Sequence, residues 1–126
     1  MDLSVFFSPV DIPVLEKDAS GRLNRSVVIH SHDNFPSLEG KKLALLGVKE
    51  DRRSNGNEGC ANGPDVIRKY FYQLHACEAL PPTVDLGNIE AGAEFADTQF
   101  AVQQVCGHLI KNGIIPIILG GSQDIT

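Results

Sequence analysis

ALLGVKEDRRSNGNEGCANGPDVIRKYFYQL, residues 44–74, passes from one kind of local order to another, and that passage decides the fold. It opens inside KLALLGV (42–48), a short continuous apolar run of the sort found in strands buried on both faces. A Gly- and Asn-rich loop follows to Gly63. Gly63-Pro64-Asp65 then carries the marks of a helix start. Pro64 has a φ suited to the first helical turn, and Asp65 complements the positive end of the helix dipole. Val66, Ile67, Tyr70, Phe71 and Leu74 recur at helical spacing, which predicts an amphipathic helix running to about His75.

The same alternation continues downstream. Pro81-Pro82 stops any helix, and TVDLG (83–87) reads as a second strand. Glu94 to Asn112 reads as a second helix, with Val102, Val105, Cys106 and Leu109 on one stripe and Gly113 placed to end it. IIPIIL (114–119) reads as a third buried strand. Pro116 lacks the N–H a central strand needs, so it belongs at a bulge or at a position facing no neighbour. The order β-α-β-α-β, with apolar strands and amphipathic crossovers, predicts a parallel sheet with right-handed connections, an α/β three-layer sandwich.

Upstream, residues 1–40 are rich in Pro, Ser and Asp and read as an irregular N-terminal segment, with short apolar runs at Leu3–Phe7 and Val27–His30, the second a candidate strand that SHDNFPSLEG ends as a loop. Residues 41–126 form the β-α-β-α-β unit. With no helix expected after the last strand, the chain reads as the N-terminal piece of a longer protein. One edge or face of its sheet should then be bare or covered by a second copy.

Composition narrows the function classes. Of 126 residues, 42% are hydrophobic and 21% charged, as in globular proteins. The formal net charge of −5 and the scattered basic pairs Lys41–Lys42, Arg52–Arg53 and Arg68–Lys69 argue against a nucleic-acid partner. No apolar run reaches the roughly 18 residues of a membrane span, and the N-terminus lacks a basic leader. Cys60, Cys77 and Cys106 have no metal-type spacing and read as free thiols, which places the protein in the cytoplasm.

Three motifs can carry chemistry. The loop at 51–68 has glycines for close backbone approach and ends at a helix N-terminus, where anions bind. It is neither GxGxxG nor a GK[ST] phosphate loop, so a long capped connection stands beside the binding reading. GGSQDIT (120–126) lies at a strand exit, where open α/β sheets bind ligands. There Asp124 either serves a metal or caps the next helix. His30-Ser31-His32-Asp33 puts two imidazoles on one strand face, although nothing downstream completes a metal set. His75 and His108 stand near helix ends as ordinary dipole partners, and Cys60 has no base beside it.

The loop, VDLGNI and PIILGGSQDIT, taken in order over residues 43–126, resemble the N-terminal third of the arginase, agmatinase and formimidoylglutamase family, the ureohydrolases. The resemblance implies an arginase-like, mainly parallel α/β sheet with two manganese ions at the carboxyl ends of its strands. It also implies hydrolysis of a linear C–N bond in a guanidino or formimino small molecule, by a hydroxide that two cations share. In that family a Gly-Gly-x-His segment supplies the first metal ligand, and the matching residue here is Gln123. The later ligand segments, Asp-x-His-x-Asp and Asp-x-Asp, would lie beyond Thr126.

An amide oxygen is a poorer ligand than an imidazole for a transition metal. The resemblance therefore leaves two readings of the parent, a metal-dependent hydrolase and a non-catalytic scaffold that has lost its metals. The 126-residue chain is expected to be inactive alone and to hold no cofactor. Asn57, Gly59, Gly63 and Pro64 are expected to frame the mouth of the site. Gly120 and Gly121 would let the chain turn so that Gln123 and Asp124 face the former metal position. A homo-oligomer is the expected assembly.

Overall fold

The computed structural model describes residues 1–11, 22–32 and 34–126. The elements run α1 (Leu23–Ser26), β1 (Val28–Ile29), β2 (Leu43–Lys49), α2 (Gly63–Phe71), β3 (Thr83–Glu90), α3 (Phe95–Lys111) and β4 (Ile115–Leu119). Short 3-10 turns lie at Leu3–Phe6, Cys60–Asn62 and Gln123–Ile125. All four strands are parallel, in the spatial order β1-β3-β2-β4.

The sheet is an α/β layer between two helical layers. β2 is central, and its run Ala44–Val48 is buried throughout. Ala44, Leu46 and Val48 join Val84, Leu86 and Ile89 of β3 and Val105 and Leu109 of α3 in the main core, with Leu3, Phe7 and Ile114. A fully buried Leu or Val contributes roughly 1.5–3 kcal/mol, so this α3 face supplies most of the apolar stabilisation. Leu86 and Ile89 share that face although they are three apart. The β2–β3 register shifts there, and Gly87 takes φ +93°. An added Cβ at Gly87 would sit 2.1 Å from the Ser8 carbonyl oxygen, so the bulge needs glycine on both counts.

The α2 face is built differently, and here the structure corrects two expectations. The helix ends at Phe71 rather than near His75. Its apolar stripe also does not turn inward. Val66, Ile67, Tyr70 and Leu74 are exposed, while Pro64, Arg68 and Tyr72 are buried. The reason lies in β3, which presents Asp85 and Asn88 to that face. Arg68 donates to Asp85 through Nε at 2.8 Å and Nη2 at 2.9 Å, and to the Asn88 side chain at 2.6 Å. The Tyr72 hydroxyl donates to Asp85 at 2.5 Å. A charge pair buried without water needs such complete partnering, and it outranked the apolar side chains for the interface.

β4 is the third correction. The run 114–119 reads as a buried strand, yet β4 is a sheet edge with Ile115 63% exposed and Ile117 and Ile118 each 39% exposed. Among the described residues nothing pairs with its outer side. The edge position does accommodate Pro116. Ile115 donates its N–H to the Lys42 carbonyl at 2.9 Å, so by strand alternation the nitrogen of Pro116 points away from β2.

Candidate functional site at the strand tips

β2 and β4 are neighbours, and the two loops that leave their carboxyl ends meet above the sheet. Glu50, one residue past β2, is 1% exposed. Its Oε1 accepts from Arg52 Nε at 2.8 Å and from the Arg52 N–H at 3.1 Å, and its Oε2 accepts from the Thr98 hydroxyl at 2.8 Å. Burial works to raise its pKa, but the donors from Arg52 and Thr98 outweigh burial and hold the carboxyl below its ordinary range. On the α2 face the Tyr72 phenol is pushed well above its ordinary value, by burial first and then by the charge of Asp85 beside it.

Past Glu50 the loop folds on itself. The Asp51 carboxylate accepts from the Gly59 N–H at 2.8 Å, and the Asn57 N–H donates to the Ser54 carbonyl at 2.9 Å. Gly59, at φ +93°, turns the chain into the Cys60–Asn62 3-10 turn, and α2 follows directly. The Arg53 guanidinium lies 4.0 Å over the Phe95 ring at the start of α3, a cation–π contact.

After β4 the chain turns at Gly120-Gly121. A Cβ on Gly121 would stand 2.1 Å from the Glu50 carbonyl oxygen, so only glycine fits. The next N–H, of buried Ser122, donates to that same oxygen at 2.8 Å. The Ser122 hydroxyl then donates to the Asp124 carboxylate. Gln123 and Asp124 are exposed on the 3-10 turn this produces.

Between loop and turn lies a cleft of about 440 Å³. Arg53, Ser54, Asn55 and Asn57 form one wall, and Ser122, Gln123 and Asp124 the other. Three residues singled out in the sequence, Asn57, Gln123 and Asp124, are thus brought together. Gly59, Gly63, Pro64, Gly120 and Gly121 are not among the walls; they shape the backbone behind them. An added Cβ on Gly63 would lie 3.3 Å from the Gly120 carbonyl oxygen, and one on Gly47 would lie 2.7 Å from the Pro64 Cβ. Sequence reasoning missed Arg53, Ser54, Asn55 and Ser122. Their density in DRRSN and their place beside the glycines were the available signal. Glu50 left none, since burial of a lone carboxylate has no sequence mark.

The other candidates stay apart from this cleft. His30 is buried, with Nδ1 2.8 Å from the Leu86 carbonyl and its ring edge-on to Phe35, which makes it a satisfied core histidine. His32 is exposed, and Asp33 lies outside the described residues. Cys60, Cys77 and Cys106 are all free thiols. Among the described residues no three His, Cys, Asp or Glu side chains are grouped to hold a metal ion. One amide and one carboxylate at the β4 tip do not make a donor set for a pair of manganese ions. No helix among the described residues is long and apolar enough to cross a membrane.

Both loops of the cleft lie within one stretch of the chain that matches a known family. The Arginase family profile covers residues 41–126. The chain belongs to the arginase family. Relatives include an uncharacterized 32.2 kDa protein of Methanothermus fervidus, 37% identical over 97 residues, covering 71% of this chain and 34% of that protein. A formimidoylglutamase of Hahella chejuensis is 36% identical over 87 residues, covering 67% of this chain and 26% of that enzyme. A formimidoylglutamase of Chromobacterium violaceum is 27% identical over 128 residues, covering 98% of this chain and 39% of that enzyme. The chain therefore spans about a third of the length of the curated relatives it matches. No solved structure matches it.

Proposed function

We propose that this chain supplies one wall of the active site in a longer arginase-family hydrolase of linear C–N bonds, acting on formimino or guanidino small molecules. The observation that supports this most is the cleft itself, where Asn57 of one family motif faces Gln123 and Asp124 of another at the strand tips. Its walls are amides, hydroxyls, one guanidinium and one carboxylate. Such groups bind and orient a small planar polar molecule. The Ser122 hydroxyl, by holding the Asp124 carboxylate, keeps an acceptor aimed for a substrate N–H. Manganese is the cofactor the family resemblance favours. Its ligands would come from outside these 126 residues, and the chain alone is inactive on this reading. The test is the whole protein supplied with manganese and offered formimino and guanidino substrates. Release of formamide, ammonia or urea supports the proposal, and no turnover of any of them overturns it.

The identity of residue 123 favours a second reading, a scaffold of the same fold that binds no metal. Gln123 offers an amide where the family resemblance assigns an imidazole. Calorimetric titration of the whole protein with manganese separates the two. No uptake by the natural protein, with uptake restored by Gln123→His, supports the scaffold; uptake by the natural protein supports the hydrolase.

A further inference from the structure

We propose that Glu50 is a positioning residue, whose anchored side chain aims its own main-chain carbonyl at Ser122 and so fixes the turn that carries Gln123 and Asp124. This rests on the reading that the turn frames the reacting end of the cleft. Glu50 stands where β2 leaves the sheet, so ladder hydrogen bonds no longer hold it. Its carboxylate takes over that task. Oε1 is held twice by Arg52, and Oε2 by Thr98. Those partners are themselves fixed. Arg52 donates to the Gly92 and Ala93 carbonyls at 2.6 and 3.0 Å, and the Thr98 hydroxyl accepts from the Gly92 N–H at 2.9 Å.

Burying a carboxylate is costly unless donors replace its water, and here the donors are Arg52, two residues on, and Thr98 in the first turns of α3. The side chain thus ties the end of β2 to the start of α3. On its main-chain side Glu50 meets a turn with no slack. The missing Cβ of Gly121 would fall 2.1 Å from the Glu50 oxygen and 2.9 Å from that of Val48, and Ser122 bonds the Glu50 oxygen at 2.8 Å. A movement of the carbonyl therefore carries the turn with it.

Amide hydrogen exchange on this chain reads the coupling without any need for turnover. Glu50→Ala should speed exchange at the Ser122 amide by roughly tenfold or more. The Ile115 amide, at the other end of β4 and bonded to Lys42, should keep its natural rate. Glu50→Gln keeps an acceptor for Arg52 and a partner for Thr98, and should restore most of the Ser122 protection. Thr98→Val removes one donor with little change of shape, and should give a smaller local increase. The proposal is overturned if Ser122 and Ile115 accelerate together, or if Ser122 keeps its rate in both Glu50→Ala and Thr98→Val. Absence of C–N hydrolysis in the whole protein would sink the functional reading and leave these rates as they are.

Discussion

The Glu50 carbonyl oxygen receives the Ser122 N–H at 2.8 Å, across a gap that admits no side chain at Gly121. Through this one contact the two loops of the cleft share a backbone reference point.

The contact makes adjacent glycines unequal. Gly121→Ala drives a methyl group into the Glu50 carbonyl and should cost about 1–3 kcal/mol, as overpacking does. Gly120→Ala meets nothing within 4 Å and should stay within about 0.5 kcal/mol of the natural chain. Urea titration of both variants checks this; equal losses would refute it.

The Arg68–Asp85 pair, both members 0% exposed, should show the asymmetry of buried ion pairs. Arg68→Met leaves Asp85 with the Tyr72 hydroxyl and the Gly87 N–H as its remaining side-chain and backbone donors, and should cost about 3–5 kcal/mol. Adding Asp85→Leu should recover part of that loss, because no unpaired charge is then buried. Thermal melts of the single and double variants provide the comparison, and a double variant weaker than the sum of the singles would contradict it.

Acid should loosen the Glu50 anchor. Its folded-state pKa lies below the ordinary 4.5, so the stability it adds is complete above that value and is lost as the pH falls through the lower folded value. The natural chain and Glu50→Gln should therefore differ most in melting temperature at neutral pH and converge as acid titrates the carboxylate through its lowered folded value. A gap that stays constant across that range would rule the anchor out as a source of the acid slope.

The bare edge should make the isolated chain self-associate. Ile115, Ile117 and Ile118 offer water an apolar strand rim. Sedimentation velocity over rising concentration should show association, and Ile117→Lys should reduce it without lowering the melting temperature. A monomer at all concentrations would count against the expected homo-oligomer.

Element order was legible because periodicity reports burial. After Lys42, KLALLGV is an unbroken run without a polar side chain, and β2 is buried along its middle on both faces. The stripe Val105–Leu109 packs into the main core as its spacing predicts. Periodicity failed on α2, where the buried stripe runs through Arg68 and its partner Asp85 lies seventeen residues on. Apolar spacing cannot signal a helix that buries a cation. It also failed on β4, since an apolar run tells what a strand can bury and not what stands beside it. At the site, glycines and polar turn residues marked the two loops, and Asn57, Gln123 and Asp124 do line one cleft. Arg53 was hidden because its place depends on Phe95, forty-two residues away.

Pro116 has a consequence for any polypeptide that lengthens the sheet. Along the outer rim of β4 the backbone offers the N–H of Ile118 and withholds one at Pro116, so an incoming chain finds a donor at only one of these two steps. A newcomer therefore makes one ladder bond fewer there than along a rim without proline, whatever its alignment. One imino ring thus loosens the hold of any strand added at this rim.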